Sequence, residues 1–192
     1  MPLVIKGSSS GQVTVDVPAA AGTNTLTFPA ATGNIITNKT AGTIIQIVNV
    51  TTGAVATGTT QMVGDDTIPQ NDEGDEYMTL AVTPTDSSNK LIINVRANVI
   101  HSGTAGAHYG ALFQDSTANA LATAWAAKNA TANNPTMLVI DHYMTAGTTS
   151  ETTFKFRSGI SVSGTTTFNG VLGARFFGGS FASSITITEV AT

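Results

Sequence analysis

Ile93-Asn94-Val95-Arg96-Ala97-Asn98-Val99 alternates without a break, apolar at each odd position and polar or charged at each even one. Successive side chains on an extended strand point to opposite faces, so this run has one buried and one wet face and reads as a β-strand. Phe154-Lys155-Phe156-Arg157 and Ile185-Thr186-Ile187-Thr188 keep the same period. Working outward, strands are predicted over 44–50, 77–83, 91–101, 107–113, 136–144, 152–158, 165–172 and 185–190, separated by Gly, Asn, Ser and Asp. Only 118–127, rich in Ala, invites a helix. It is short and lacks an apolar stripe at helical spacing, so it is read as an extended edge. Residues 43–192 are therefore expected to form an all-β, jelly-roll-like β-sandwich head.

The first 42 residues have a different texture. Val15-Asp16-Val17-Pro18-Ala19-Ala20-Ala21-Gly22-Thr23 is followed, eleven residues on, by Leu26-Thr27-Phe28-Pro29-Ala30-Ala31-Thr32-Gly33-Asn34, with Pro over Pro and Gly over Gly. A fixed period marks a repeated backbone unit. Each unit offers a short alternating strand (Val13, Val15, Val17; then Leu26, Phe28), a Pro that ends it, an Ala pair and a Gly turn. Two such units leave most of a thin apolar face wet unless other chains cover it. Residues 1–42 are thus expected to be an assembly segment, a stalk or docking foot wound with identical copies. Ile35-Ile36-Thr37-Asn38-Lys39-Thr40-Ala41-Gly42 reads as a short strand and polar hinge that closes it.

Composition excludes several functions. Charged residues make up 10% of the 192, against about 25% in typical soluble domains; Thr, Ser, Asn and Gly supply the polar surface instead. The net charge is −4 and the eight Lys and Arg are scattered, so neither nucleic acid nor an anionic membrane is an expected partner. There is no cysteine, hence no disulfide, thiolate metal site or thiol nucleophile. No stretch approaches the roughly 18 consecutive apolar residues of a membrane span. Residues 1–8 lack the apolar core of a signal peptide, so release by lysis or an unusual route is expected.

The polar clusters do not make a catalytic constellation. Asp65-Asp66 and Asp72-Glu73-Gly74-Asp75-Glu76 could suggest calcium. Setting Gly74 at the sixth position of an EF-hand loop puts Pro69 first and Leu80 twelfth, where an acid is required. A solvated acid-rich connector into the strand at Tyr77 is the expected reading, with a loose cation site over residues 65–76 as the alternative. His101, His108 and His142 invite a metal triad, and Asp141-His142 half of a hydrolase relay. Neighbours on a strand face opposite ways, so Asp141 cannot orient His142. No nucleophile elbow, zinc-protease helix, P-loop or dinucleotide fingerprint is present. Neither enzyme activity, a cofactor nor a metal is expected. Among the aromatics, Trp125 and Tyr109 are the candidate exposed binding residues, with Tyr143 and Phe176-Phe177 as further platform candidates; Phe177 with Phe181 reads as ordinary packing around a Gly-Gly-Ser turn.

The stretch from Gly11-Gln12-Val13-Thr14-Val15 through Leu26-Thr27-Phe28-Pro29-Ala30-Ala31-Thr32-Gly33 resembles the N-terminal linker motif of tail-fibre-like proteins of tailed bacteriophages, especially those of aquatic and cyanobacterial hosts. Asp66-Thr67-Ile68-Pro69, Glu73-Gly74-Asp75-Glu76-Tyr77, Ala111-Leu112-Phe113-Gln114-Asp115, His142-Tyr143-Met144-Thr145-Ala146-Gly147 and Ser184-Ile185-Thr186-Ile187-Thr188-Glu189 resemble the β-sandwich tip that follows that linker. The resemblance implies a homotrimer of jelly-roll heads about a threefold axis, with interwoven N-terminal strands, at the virion surface. It spans two roles: a capsid cement or decoration protein bound to the major capsid protein lattice, and a fibre or spike tip attached to tail proteins that recognises a host surface glycan. With only two repeat units and a chain opening on Met1, a short cement protein on the capsid exterior is the favoured expectation.

Overall fold

The computed structural model describes residues 3–6, 12–15, 41–127 and 131–192. The chain divides into two compact units, Met1–Ile35 and Ile36–Thr192. In the first, β1 (Leu3–Lys6) pairs antiparallel with β2 (Gln12–Val15), Leu3 opposite Val15 and Lys6 opposite Gln12. The repeat reading placed a strand at Val13 and Val15 but not its partner at the extreme N-terminus. The second repeat unit, Leu26 to Gly33, lies outside the described residues.

The second unit is built around the alternating run that opens the sequence reading. Leu91, Ile93, Val95, Ala97 and Val99 of β6 (Lys90–His101) are all fully buried, because the strand's odd positions face a second sheet. On one edge of β6 runs β9 (Pro135–Thr145). On the other, β14 (Ser183–Val190) pairs with residues 90–96, followed outward by β3 (Ile44–Thr52). Beyond residue 98 the same edge passes to β11 (Thr166–Phe168) and then β4 (Ala56–Gly58).

That hand-over is a polar node. Asn98 donates its N–H to Ser183 Oγ (2.9 Å), Ser183 Oγ donates to Asn169 Oδ1 (2.6 Å), and the Asn169 N–H returns to the Asn98 carbonyl (3.1 Å). Asn169 sits at φ +56, a conformation that Asn tolerates better than most residues. The turn at Asn169 breaks the predicted strand 165–172 into β11 and a two-residue β12 (Gly170–Val171), which pairs with β13 (Ala174–Arg175).

The opposing sheet has the order β5-β10-β7-β8, all antiparallel: β5 (Asp75–Val82), β10 (Thr152–Ile160), β7 (Ala107–Gln114) and β8 (Ala122–Ala127). The expected edge over 118–127 is β8. Phe154, Phe156, Leu112, Met78 and Val82 point inward onto Ile93, Val95, Ile185 and Ile187 to form the core. Tyr77 stacks on Phe168 at 5.0 Å, and burial pushes its phenol well above the ordinary value. Each fully buried aliphatic or phenyl group contributes about 1.5–3 kcal/mol, which is what a head without disulfides relies on. The unit is an all-β sandwich.

Candidate functional site

The two sheets differ on their outer faces. Residues 59–74, between β4 and β5, cross the outer face of the smaller sheet as a strap. Met62, the strap's apolar anchor, is 1% exposed against Ala111, Phe113 and Tyr109. Asp65, Asp66, Asp72 and Glu76 are exposed, as a solvated connector requires, while the partly buried Glu73 and Asp75 also fasten the strap, a role the sequence reading did not give them. Glu73 accepts the N–H of Val63 on one oxygen (3.1 Å) and that of Gln70 on the other (3.0 Å). Asp75 accepts the Thr60 N–H (2.9 Å) and hydroxyl (2.8 Å). Arg157 donates to the carbonyls of Glu73 (3.0 Å) and Gly74 (2.6 Å) from below. Among the described residues, no three of His, Asp and Glu converge as a metal would need.

The strap lies close to the sheet because glycine lets it. A Cβ on Gly159 would stand 2.7 Å from the Thr60 carbonyl oxygen, and one on Gly64 would stand 2.4 Å from the Tyr109 hydroxyl. Glycine inside a strand marks close backbone approach, and Gly159 in the run ending β10 was the available signal for a strap that sequence periodicity did not reveal.

Between strap and sheet lies a groove of about 380 Å³ lined by Gly64, Asp65 and Thr67 on one side and by Tyr109, Thr123 and Trp125 on the other. Tyr109 and Trp125 are direct partners across the β7–β8 ladder, so both candidate aromatics arrive in one site. Trp125 is 68% exposed. Tyr109 is not exposed as expected: the strap lies over it and leaves it half-buried. Asp65 accepts the Thr67 N–H (2.8 Å) and hydroxyl, which hold its carboxyl below the usual carboxylate range.

The other aromatics scatter. Tyr143 stands elsewhere, on β9. Phe177, expected to pack, is 70% exposed and only leans on Phe176, ring centres 4.1 Å apart; it is Phe176 that meets Phe181, at 5.7 Å. The histidines do not form a triad: buried His101 and His108 meet edge to face at 6.4 Å. His142 pairs with Ile93, eight residues along β6 from His101, roughly 26 Å away.

The outer face of the larger sheet has no strap among the described residues. Its register sets Ile47, Thr188, Ile92 and Tyr143 in one row across β3, β14, β6 and β9. The next row is Asn49, Thr186, Asn94 and Asp141, and it is closed on itself: Asn94 donates to Asp141 (2.6 Å) and Asn49 to Thr186 Oγ1 (2.8 Å). The row beyond is Thr51, Ser184, exposed Arg96 and Val139, with Met137 past it. Ile47 (59%), Met137 (60%) and Tyr143 (63%) remain open to solvent.

No protein-family model matches the chain, and no curated protein does. Among solved structures it is similar to the Eiger TNF of S. frugiperda, at 6% identity over 76% of this chain and 93% of that one, with a TM-score of 0.44. It is also similar to T=1 particles derived from infectious bursal disease virus, at 12% identity over 98% of this chain and 44% of that one, TM-score 0.37. Dimeric latent PorU of Porphyromonas gingivalis matches at 10% identity over 79% and 14%, TM-score 0.37. The chain spans less than half the length of the latter two. At these scores the likeness carries no argument about function.

Proposed function

We propose that this chain is a non-enzymatic structural protein of a phage virion: a homotrimeric cement or decoration protein that binds the capsid exterior through its N-terminal unit and reinforces it. The observation that carries the oligomeric part of this reading is the bare face of the larger sheet. Strands about 4.8 Å apart and rows about 7 Å apart make that face on the order of 500 Å² in plane. Side-chain relief brings it towards the ~800 Å² per partner of a standard interface. The Asn49 and Asn94 side-chain amides donate within their own row, so covering it strands neither, and the exposed apolar side chains gain about 25 cal/mol for each Å² removed from water. Asp141 and Arg96 are the charges on this face that a partner must meet. A second and third copy are the occupants this fits. The virion part rests on the linker and tip resemblance in the sequence. The strands of the N-terminal unit are suited to extending a neighbour's sheet through main-chain hydrogen bonds, a contact that needs little charge.

A second reading, a short fibre or tailspike tip that recognises a host surface polysaccharide, is favoured by one observation, the paired aromatics of the groove. Electron microscopy of intact particles separates the two. Density for this chain over the head lattice supports cement, density at the tail apex supports the tip, and particles lacking the chain overturn both.

A further inference from the structure

The groove beneath the strap does something the fold does not need. Met62 already seals the sheet against Phe113 and Ala111, yet the chain's single Trp stands open beside it on an edge strand. Direct cross-strand partners lie about 5 Å apart, so the open Trp125 ring stands beside Tyr109, whose ring lies against Gly64 of the strap. Its surroundings are polar and held in position. The Asp65 carboxylate is oriented by Thr67, a threonine hydroxyl stands on β8 at Thr123, and the absence of a Cβ at Gly64 makes room for the Tyr109 hydroxyl.

A pyranose ring matches this pair of chemistries. Its C–H face is apolar and lies flat on an aromatic ring, and its rim carries hydroxyls that donate to a carboxylate and exchange hydrogen bonds with threonine. Among the described residues the one charge lining the groove is that of Asp65, which repels an anionic sugar and accepts from a neutral one. The volume, about 380 Å³, is at the low end of small-molecule sites, ~300–1,000 Å³, and suits a short saccharide. We propose that the groove binds a neutral saccharide of one or two pyranose rings, stacked on Trp125 beside Tyr109 and donating to Asp65. This deepens the second reading above and rests on it only for assigning the glycan to a host surface.

Because Trp125 is the only Trp in the chain, intrinsic fluorescence of the full-length protein reports on this groove alone. The probes are maltose, cellobiose and lactose, with digalacturonate as the acidic comparison. At least one neutral disaccharide should shift the Trp emission to shorter wavelength saturably and receive saturation transfer from the protein in NMR. Transfer should be lost in Trp125→Ala, kept in Tyr109→Phe and weakened about tenfold in Asp65→Asn, with circular dichroism and melting unchanged in Trp125→Ala. Silence with every neutral sugar in both assays overturns the proposal, as does transfer that survives Trp125→Ala or a stronger response to digalacturonate. A blue shift on concentrating the protein without sugar also overturns it, by making the groove a subunit contact. Sedimentation of the same samples separates the failures: trimer without sugar binding removes the groove alone, and sugar binding by a monomer removes the trimer alone.

Discussion

The outer faces of the two sheets solve the same problem in opposite ways. The smaller sheet is covered by the chain itself, with Met62 pressed onto it and Glu73, Asp75 and Arg157 fastening the strap above. The larger sheet carries Ile47, Ile92, Met137, Val139 and Tyr143 outward with no such cover among the described residues. It is braced from inside instead. Fully buried Glu189 at the end of β14 accepts Thr85 N–H (2.8 Å) and Asn89 Nδ2 (2.6 Å) on one oxygen and Gln46 Nε2 (2.6 Å) on the other. Sixteen residues cover one face, while among the described residues the other keeps Ile47, Ile92, Met137 and Tyr143 open to water; the proposed subunit contact rests on that contrast.

The covered face should be the more sensitive to change. Gly159→Val drives a side chain into the Thr60 carbonyl and the Met62 backbone, lifting the strap at a cost of about 2–4 kcal/mol, read as a lower denaturant midpoint. Met62→Ala should cost about 2–3 kcal/mol. The same substitution at Met137, tested in an Ile92→Lys background to remove the proposed subunit contact, should stay within about 0.5 kcal/mol. Equal losses at the two methionines would erase the contrast.

Glu189→Gln probes the brace. Burial raises this carboxyl, but hydrogen bonds from Asn89, Gln46 and Thr85 outweigh it and hold the group below its ordinary value of 4.5. Its contribution is therefore complete above that value and is lost as pH falls through the folded one. At neutral pH the substitution should cost about 1.5–3 kcal/mol, and the gap to the parent protein should narrow below pH 4.5. A gap that stays constant with pH would mean the charge is not what braces the sheet. The smallest effect belongs to Trp125→Ala, expected within about 0.5 kcal/mol, since an exposed edge ring supports nothing beneath it.

Much of the sandwich was legible because alternation is a local property. Ile93 to Val99, Phe154 to Arg157 and Ile185 to Thr188 each carry their own evidence of a buried face, and all three lie on observed strands. The strap was not legible: residues 59–74 have no period, and their acids look like solvated turn residues until Glu73 is seen to accept two backbone N–H groups. Nor was the bare face, since Ile47, Thr188, Ile92 and Tyr143 become one row only through strand register. Trp125 and Tyr109 were picked out singly for their type, but their meeting across β7 and β8 belongs to pairing, not to either segment.

The most direct test of the account is sedimentation equilibrium of the full-length protein beside its Ile92→Lys and Tyr143→Glu variants. The parent protein should sediment as three copies, and each variant as one folded copy with unchanged circular dichroism. A monomeric parent, or variants that remain trimeric, would contradict the claim that sister subunits cover the larger sheet.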